Sequence, residues 1–285
     1  MRKKLLILII SIFLALLAEF IGLYGLLRIN EREQKSQINK QNKKSERILK
    51  EQESINEETT TEETTEETTT ESETQAMVST IDPSKPMVAM TFDDGPNSAT
   101  TPQILDTLEK YGSHATFFVV GQKIDGNESI IQRAASIGCE IGNHTLNHVK
   151  LTSVDEGGLD AEISGNADRI KSLTGQQTVT LRPPYGAVND VVMAHVNVPI
   201  ILWSIDTLDW KTRDVATTIS NVQQSVFDGA IILMHDIYQE SADAAVSLIA
   251  WLNEQGYQLV SISELGNYRR GGLVTGIKYG ELRPN

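Results

Sequence analysis

Val88-Ala89-Met90-Thr91-Phe92 leads directly into Asp93-Asp94-Gly95-Pro96. An apolar run this short, bounded by a turn signal, reads as a strand buried on both faces, with the acidic pair standing at its end. The same texture recurs at Ala115-Thr116-Phe117-Phe118-Val119-Val120, Cys139-Glu140-Ile141, Thr178-Val179-Thr180-Leu181, Pro199-Ile200-Ile201-Leu202-Trp203, Ala230-Ile231-Ile232-Leu233-Met234 and Tyr257-Gln258-Leu259-Val260. Between these runs lie amphipathic stretches at Thr101–Tyr111, Glu128–Ile137, Leu159–Leu173, Val215–Val226 and Ser241–Gln255. The alternation predicts an α/β fold, a distorted (β/α) barrel of about seven parallel strands covered by helices. Such barrels carry their chemistry at the C-terminal strand ends, and polar residues follow the strands here: Asp93, Asn143, Arg182, Ser204 and His235.

The first 79 residues have a different character. Met1-Arg2-Lys3-Lys4 caps an apolar run from Leu5 to Leu27, interrupted only by Ser11, Glu19 and two glycines. The run is long enough to cross a bilayer, and basic residues before it place the N-terminus in the cytoplasm and the rest outside. A cleavable signal peptide has a similar charge layout, leaving secretion as the alternative. The length of the run and the lack of a clear A-x-A site after it favour a retained single-pass anchor, although Glu19 is not ideal within a span.

Residues 29–79 are polar, with eight glutamates between Glu57 and Glu73 set among threonines. Such a segment buries too little apolar surface to offset chain entropy and reads as a disordered, self-repelling spacer. It also supplies much of the net charge of -13, so that charge says little about the folded part, and nothing points to nucleic-acid binding. The boundaries follow: 1–28 cytoplasmic cap and transmembrane helix, 29–79 spacer, 80–268 catalytic domain, 269–285 C-terminal tail. Cys139 is the chain's single cysteine, so it forms no intramolecular disulfide and reads as a buried thiol.

Five short blocks at or after strand ends carry the chemistry. Asp93-Asp94 alone is usually a turn or a cap. His144 and His148 lie four apart; on a helical turn they share one face and can grip one ion, and with a nearby carboxylate they form a three-ligand set for a catalytic divalent metal. Arg182-Pro183-Pro184-Tyr185-Gly186 is a stiff loop after a strand. Trp203-Ser204-Ile205-Asp206-Thr207-Leu208-Asp209-Trp210 and Ile231-Ile232-Leu233-Met234-His235-Asp236 complete the series. A lone histidine such as His235 is more often structural; five blocks in order change that reading.

On these residues the sequence resembles the polysaccharide deacetylases of the NodB-homology type, carbohydrate esterase family 4. The blocks are Thr91–Gly95, His144–His148, Arg182–Tyr185, Asp206–Trp210 and Leu233–His235, within residues 80–268, with no departure at a catalytic position. The resemblance implies that Asp94, His144 and His148 bind a divalent metal, commonly zinc, with cobalt or another first-row metal as alternatives. It implies that Asp93 is the general base, held charged and oriented by Arg182. Strand alternation would let base and ligand share one strand end while pointing differently. By the same resemblance the Tyr185 backbone N–H stabilises the oxyanion, His235 is the general acid tuned by Asp209, and Trp210 and Leu233 line the pocket for the acetyl methyl. Asp206 matches its block without a role, Asn143 orients the loop before His144, and His114 and His195 are structural.

Topology and family habit together make N-acetylglucosamine residues of peptidoglycan the expected substrate, acted on by a monomer facing the cell wall. Chitin or chito-oligosaccharides, poly-N-acetylglucosamine and acetylxylan are the rival substrates. A non-catalytic glycan-binding module is the rival from another class, but a binder has no use for Asp93 and His235 together.

Overall fold

The computed structural model describes residues 81–284; segments 1–28 and 29–79 lie outside the described residues. Among the described residues no helix is long and apolar enough to cross a membrane. The chain runs β1 (Met87–Asp93), α1 (Thr101–Tyr111), β2 (Thr116–Val119), α2 (Glu128–Ser136), β3 (Glu140–Asn143), α3 (Glu156–Thr174), α4 (Asp190–His195), β4 (Ile200–Ile201), β5 (Ile205–Asp206), α5 (Asp209–Thr212), α6 (Val215–Ser225), β6 (Ile231–His235), α7 (Gln239–Glu254), β7 (Gln258–Leu259), α8 (Ile262–Arg270) and β8 (Lys278–Tyr279).

The strands pair in parallel in the order β3-β2-β1-β6-β5, with β7 against the start of β1 and β4 against β8. Single-residue bridges from Asn143 to Leu181 and from Leu181 to Ile200 link β3 to β4. Because β4 runs on through Ser204 into β5, the hydrogen-bonded path returns to β6 and closes on itself. This is the parallel α/β architecture expected from the alternation of runs.

Every residue of β1 is buried, and its alternation sorts them into two cores. Val88, Met90 and Phe92 pack outward against the helices with Ile104, Leu105, Leu108 and Leu248. Met87 and Ala89 join Phe118, Ile201, Ile231 and Val260 in a second cluster. Thr91 and Asp93 share that second parity, which aims the polar end of the strand at the middle of the ring. The helices begin and end on conventional signals: α1 opens with Pro102 and closes on left-handed Gly112, while Ser261 and Glu264 form a capping box on α8.

Three expectations change. The run at 178–181 forms no strand beyond the Leu181 bridge; Val179 is 48% exposed, and the segment diverges from β3 to open a cleft lined by Thr178, Val179, Asn197 and Ser263. Ser204 does not stand at the mouth, because the strand continues past it; its hydroxyl and Ile231 N–H bond at the bend, and Asp206 ends the strand.

The stretch 269–285, set apart above as a tail, packs onto the sheet instead. β8 pairs with β4, and Leu282 is fully buried, its N–H bonded to the Gly229 carbonyl. A Cβ on Gly229 would lie 2.3 Å from the Leu282 carbonyl oxygen, so only glycine permits this crossing. Two polar strand residues gave no periodic signal; the contact is made by one leucine. Leu282→Ala should therefore cost about 2–5 kcal/mol of unfolding free energy, read by urea denaturation. A loss under about 1 kcal/mol would show the segment to be dispensable.

Candidate active site

Parallel register brings the site together at one rim. Asp93 at the end of β1 lies beside His235 at the end of β6 and beside Phe118 on β2; Val119 pairs with Asn143, whose bridge leads to Leu181 and Arg182.

Asp94 follows the last β1 residue with φ 73, a left-handed conformation that an aspartate adopts at a cost. That turn, rather than strand alternation, separates the two carboxylates, and both still face His144: its Nε2 lies 3.7 Å from Asp93 Oδ2 and 3.4 Å from Asp94 Oδ1. His148 Nε2 is 2.9 Å from the same Asp94 oxygen.

The two histidines do not share a helix face as their spacing suggested. Residues 144–148 form a loop in which Thr145 and His148 are left-handed (φ 67 and 55), and this brings the rings to a centroid separation of 5.0 Å. The loop is held from α3. Glu162 accepts from the Asn147 backbone N–H and from its side-chain amide, Asn166 Nδ2 donates to Asn143 Oδ1, and Asn143 Oδ1 also accepts from Thr145 N–H. Asn143 thus orients the loop, as expected of it.

Glu162 and Asn166 were not foreseen, yet a signal existed. With Leu159, Ile163 and Ile170 they occupy the buried stripe of α3, and polar residues on an apolar stripe need a reason to be there.

Asp94, His144 and His148 offer three ligand atoms within 4.8 Å of one another. Two further observations fit a cation. Asp94 Oδ1 is buried, and the ring nitrogens nearest to it, His148 Nε2 at 2.9 Å and His144 Nε2 at 3.4 Å, do not form a well-aligned hydrogen bond with it. His144 Nδ1 lies 2.6 Å from the Arg182 carbonyl, which requires its proton there and leaves the Nε2 lone pair facing the cluster. Burial would raise the Asp94 carboxyl, but the two imidazoles outweigh it and hold it well below the ordinary carboxylate range. The donor set, two nitrogens and one carboxylate oxygen, suits a divalent first-row metal with positions left open.

Among the described residues Arg182 is the largest fully buried side chain. Its NH1 donates to Asp93 Oδ1 and to Thr91 Oγ1, each at 2.7 Å; Nε and NH2 reach the Ile201 and Leu202 carbonyls, and the guanidinium lies 4.2 Å from the centre of the Phe118 ring. A planar fork so held fixes Asp93 Oδ1 and leaves Oδ2 toward the histidines.

On the other side, His235 Nδ1 is 2.9 Å from Asp209 Oδ1, and Asp209 Oδ2 accepts the His235 backbone N–H. Burial lowers the imidazole, but Asp209 more than reverses this, so His235 is pushed up to about 9; its partner is held below the usual carboxylate range. A raised value means the charged form persists through neutral pH. Its stabilisation is complete below about 6.5 and is lost as pH rises through about 9.

The alkaline limb of kcat/KM is therefore expected near pH 9. Asp209→Asn should move it to lower pH, because burial is then opposed only by the Asp93 and Asp94 charges. A pH–rate profile with an unmoved limb would exclude His235 as the group titrating there.

At the edge, the Tyr185 ring leans on His148 at 5.1 Å between centroids, on a backbone with φ 62, and is 68% exposed. Trp210 at the start of α5 is exposed, while Leu233 on β6 is buried. Asp206 caps its own turn by accepting from Leu208 N–H. His114 pairs with Glu264 and His195 with the Val191 carbonyl, away from the cluster.

A candidate metal-ligand set, a clamped carboxylate and a carboxylate-paired imidazole thus stand together on the C-terminal rim of a parallel sheet. The chain belongs to the polysaccharide deacetylase family, whose model matches residues 80–198. It is 42% identical over 191 residues to the peptidoglycan-N-acetylmuramic acid deacetylase PdaC of Bacillus subtilis, covering 67% of this chain and 41% of that protein. A peptidoglycan-N-acetylglucosamine deacetylase of Bacillus cereus is 36% identical over 189 residues, 64% of this chain and 69% of that one.

The solved PdaC structure aligns with a TM-score of 0.65 at 42% identity, covering 66% of this chain and 93% of that one. A family 4 acetyl xylan esterase from Clostridium thermocellum, solved with a cobalt ion, aligns with a TM-score of 0.65 at 29% identity over 69% of this chain and 98% of that one. The chain thus spans about two fifths of PdaC's full length.

Proposed function

We propose that the chain is a metal-dependent hydrolase that removes N-acetyl groups from peptidoglycan, at N-acetylglucosamine residues. The observation that carries this reading is the pairing of two separate acid–base units, Arg182–Asp93 and Asp209–His235, on neighbouring strand ends around one candidate metal site.

An N-acetyl amide is a weak electrophile and water a weak nucleophile at neutral pH. A divalent metal, zinc by preference, held by Asp94, His144 and His148 would polarise the carbonyl and acidify water. Asp93 accepts the proton of the attacking water, with Arg182 fixing the carboxylate so that Oδ2 faces the reacting centre. The Tyr185 backbone N–H, on its proline-stiffened turn, donates to the developing oxyanion. His235 enters the cycle protonated, because Asp209 keeps it so, and gives its proton to the departing sugar amine. Leu233 and Trp210 enclose the acetyl methyl.

The basic cap and apolar run of residues 1–27 support a membrane anchor with the catalytic domain outside, facing the wall. Similarity to PdaC supports a second reading, in which N-acetylmuramic acid is the deacetylated sugar.

Acetate released from N-acetylated peptidoglycan, chitin oligomers and acetylxylan, followed by identification of the free-amine sugar, separates the candidates. Glucosamine from peptidoglycan is the expected product. Release of acetate from none of the three by metal-loaded protein would overturn the enzymatic reading.

A further inference from the structure

Asp236, next to the proposed acid, is a carboxylate-bearing residue that the mechanism above leaves without a task. It is only 1% exposed. Its Oδ2 lies 2.5 Å from Thr101 Oγ1, its backbone carbonyl accepts from Thr100 Oγ1, and its Oδ1 has no hydrogen-bond partner. No lysine, arginine or histidine side chain among the described residues forms an ion pair with it. Thr101 Oγ1 in turn accepts from Asn97 N–H, in the loop that follows the acidic pair.

Gly95, the residue after Asp94, is pressed against the same carboxyl: a Cβ there would fall 2.2 Å from Asp236 Oδ1. One side chain therefore touches the turn that carries base and metal ligand, the first residues of α1, and the strand end that carries His235.

An ionised carboxylate shielded from solvent, with one oxygen unpartnered and no ion pair to a cation, is among the costliest groups to bury; the protonated acid costs far less. We propose that Asp236 is a positioning residue that acts as a neutral carboxylic acid, locking the Asp93-Asp94-Gly95 turn and the N-terminus of α1 onto the end of β6. Burial is the main cause of a carboxyl pushed up to about 7; the hydrogen bonds with Thr101 and with its own backbone N–H and the charge of His235 oppose it, and the Asp94 charge adds to it. The charged groups facing it are Asp94 from the turn and His235 from β6; α1 presents only the hydroxyls of Thr100 and Thr101.

The inference rests on the metal site proposed above, and zinc titration of the wild-type chain tests that reading separately from this one. Asp236→Asn keeps the shape of the neutral acid, whereas Asp236→Ala removes the contact with Thr101 and Gly95. Zinc affinity by competition with a chromophoric chelator, kcat and KM at saturating metal, and the pH profile are measured for both.

The Asn variant is expected within about threefold of wild type in all three constants, with the alkaline limb unmoved. The Ala variant is expected to lose about 10–100-fold in zinc affinity, the usual effect of removing a residue that orients a ligand, and kcat with little change in KM. An Asn variant as impaired as the Ala variant, or one with a displaced limb, would show that an anion is required and overturn the proposal. So would an Ala variant with wild-type zinc affinity and kcat. If the Ala variant does not fold, the Asn variant decides alone: retained constants support the neutral acid, and lost constants refute it.

Discussion

Asp93→Asn is expected to lower kcat by about 10²–10⁴-fold while the protein still binds one equivalent of metal. The two halves of this result follow from different atoms. Asparagine keeps a carbonyl oxygen to accept from Arg182 NH1, so the clamp and the fold survive, but it cannot take a proton from water. Metal is retained because the three ligand atoms that converge belong to Asp94, His144 and His148, whereas Asp93 Oδ2 stands 3.7 Å from the nearest imidazole nitrogen. Near wild-type turnover would remove Asp93 from the base role; loss of metal would place it among the ligands.

Arg182→Met should unfold more easily by about 3–5 kcal/mol and lose nearly all turnover. Methionine fills much of the volume beside Phe118 but leaves Asp93, 4% exposed, with no cation, and leaves the Ile201 and Leu202 carbonyls without their donor. The cost is that of stranding buried partners rather than the worth of an ion pair in isolation. Arg182→Lys separates the contributions, since it restores charge without the fork that reaches Thr91, Asp93 and two carbonyls together. Urea midpoints and acetate release for both variants check the prediction; a Met variant as stable as wild type would contradict the described clamp.

The alternation of apolar runs and amphipathic stretches was legible because β1, β2 and β6 are buried along almost their whole lengths and so carry apolar or small residues up to the polar residues Asp93 and His235 that end β1 and β6. β8 was not legible: two residues, Lys278 and Tyr279, have no period, and their partner β4 selects them only in three dimensions. The same limit applies at the site. Asp93, Asp94, His144, His148, Arg182, Asp209 and His235 stand out because their blocks keep a family order.

The geometry that joins them does not stand out. The His144–His148 pair reads as a helical i, i+4 match yet is made by left-handed Thr145 and His148, and Asp94 turns away from Asp93 through a positive φ rather than through strand alternation. Backbone conformations of this kind in non-glycine residues cost about 1–3 kcal/mol each, and a sequence pattern built on regular periods has no place for them. Glu162, Asn166 and Asp236 act at one remove from the reacting centre, where only burial distinguishes a positioning residue from an ordinary polar one.

In the mechanism proposed above, amide hydrolysis requires one metal held by Asp94, His144 and His148. Acetate release from N-acetylated peptidoglycan, measured on chelator-stripped protein during stepwise return of zinc, tests it most directly. Stripped protein is expected to release none and to recover fully at one equivalent of zinc, with His148→Ala failing to recover at that level. Undiminished release from protein shown to be metal-free would contradict it.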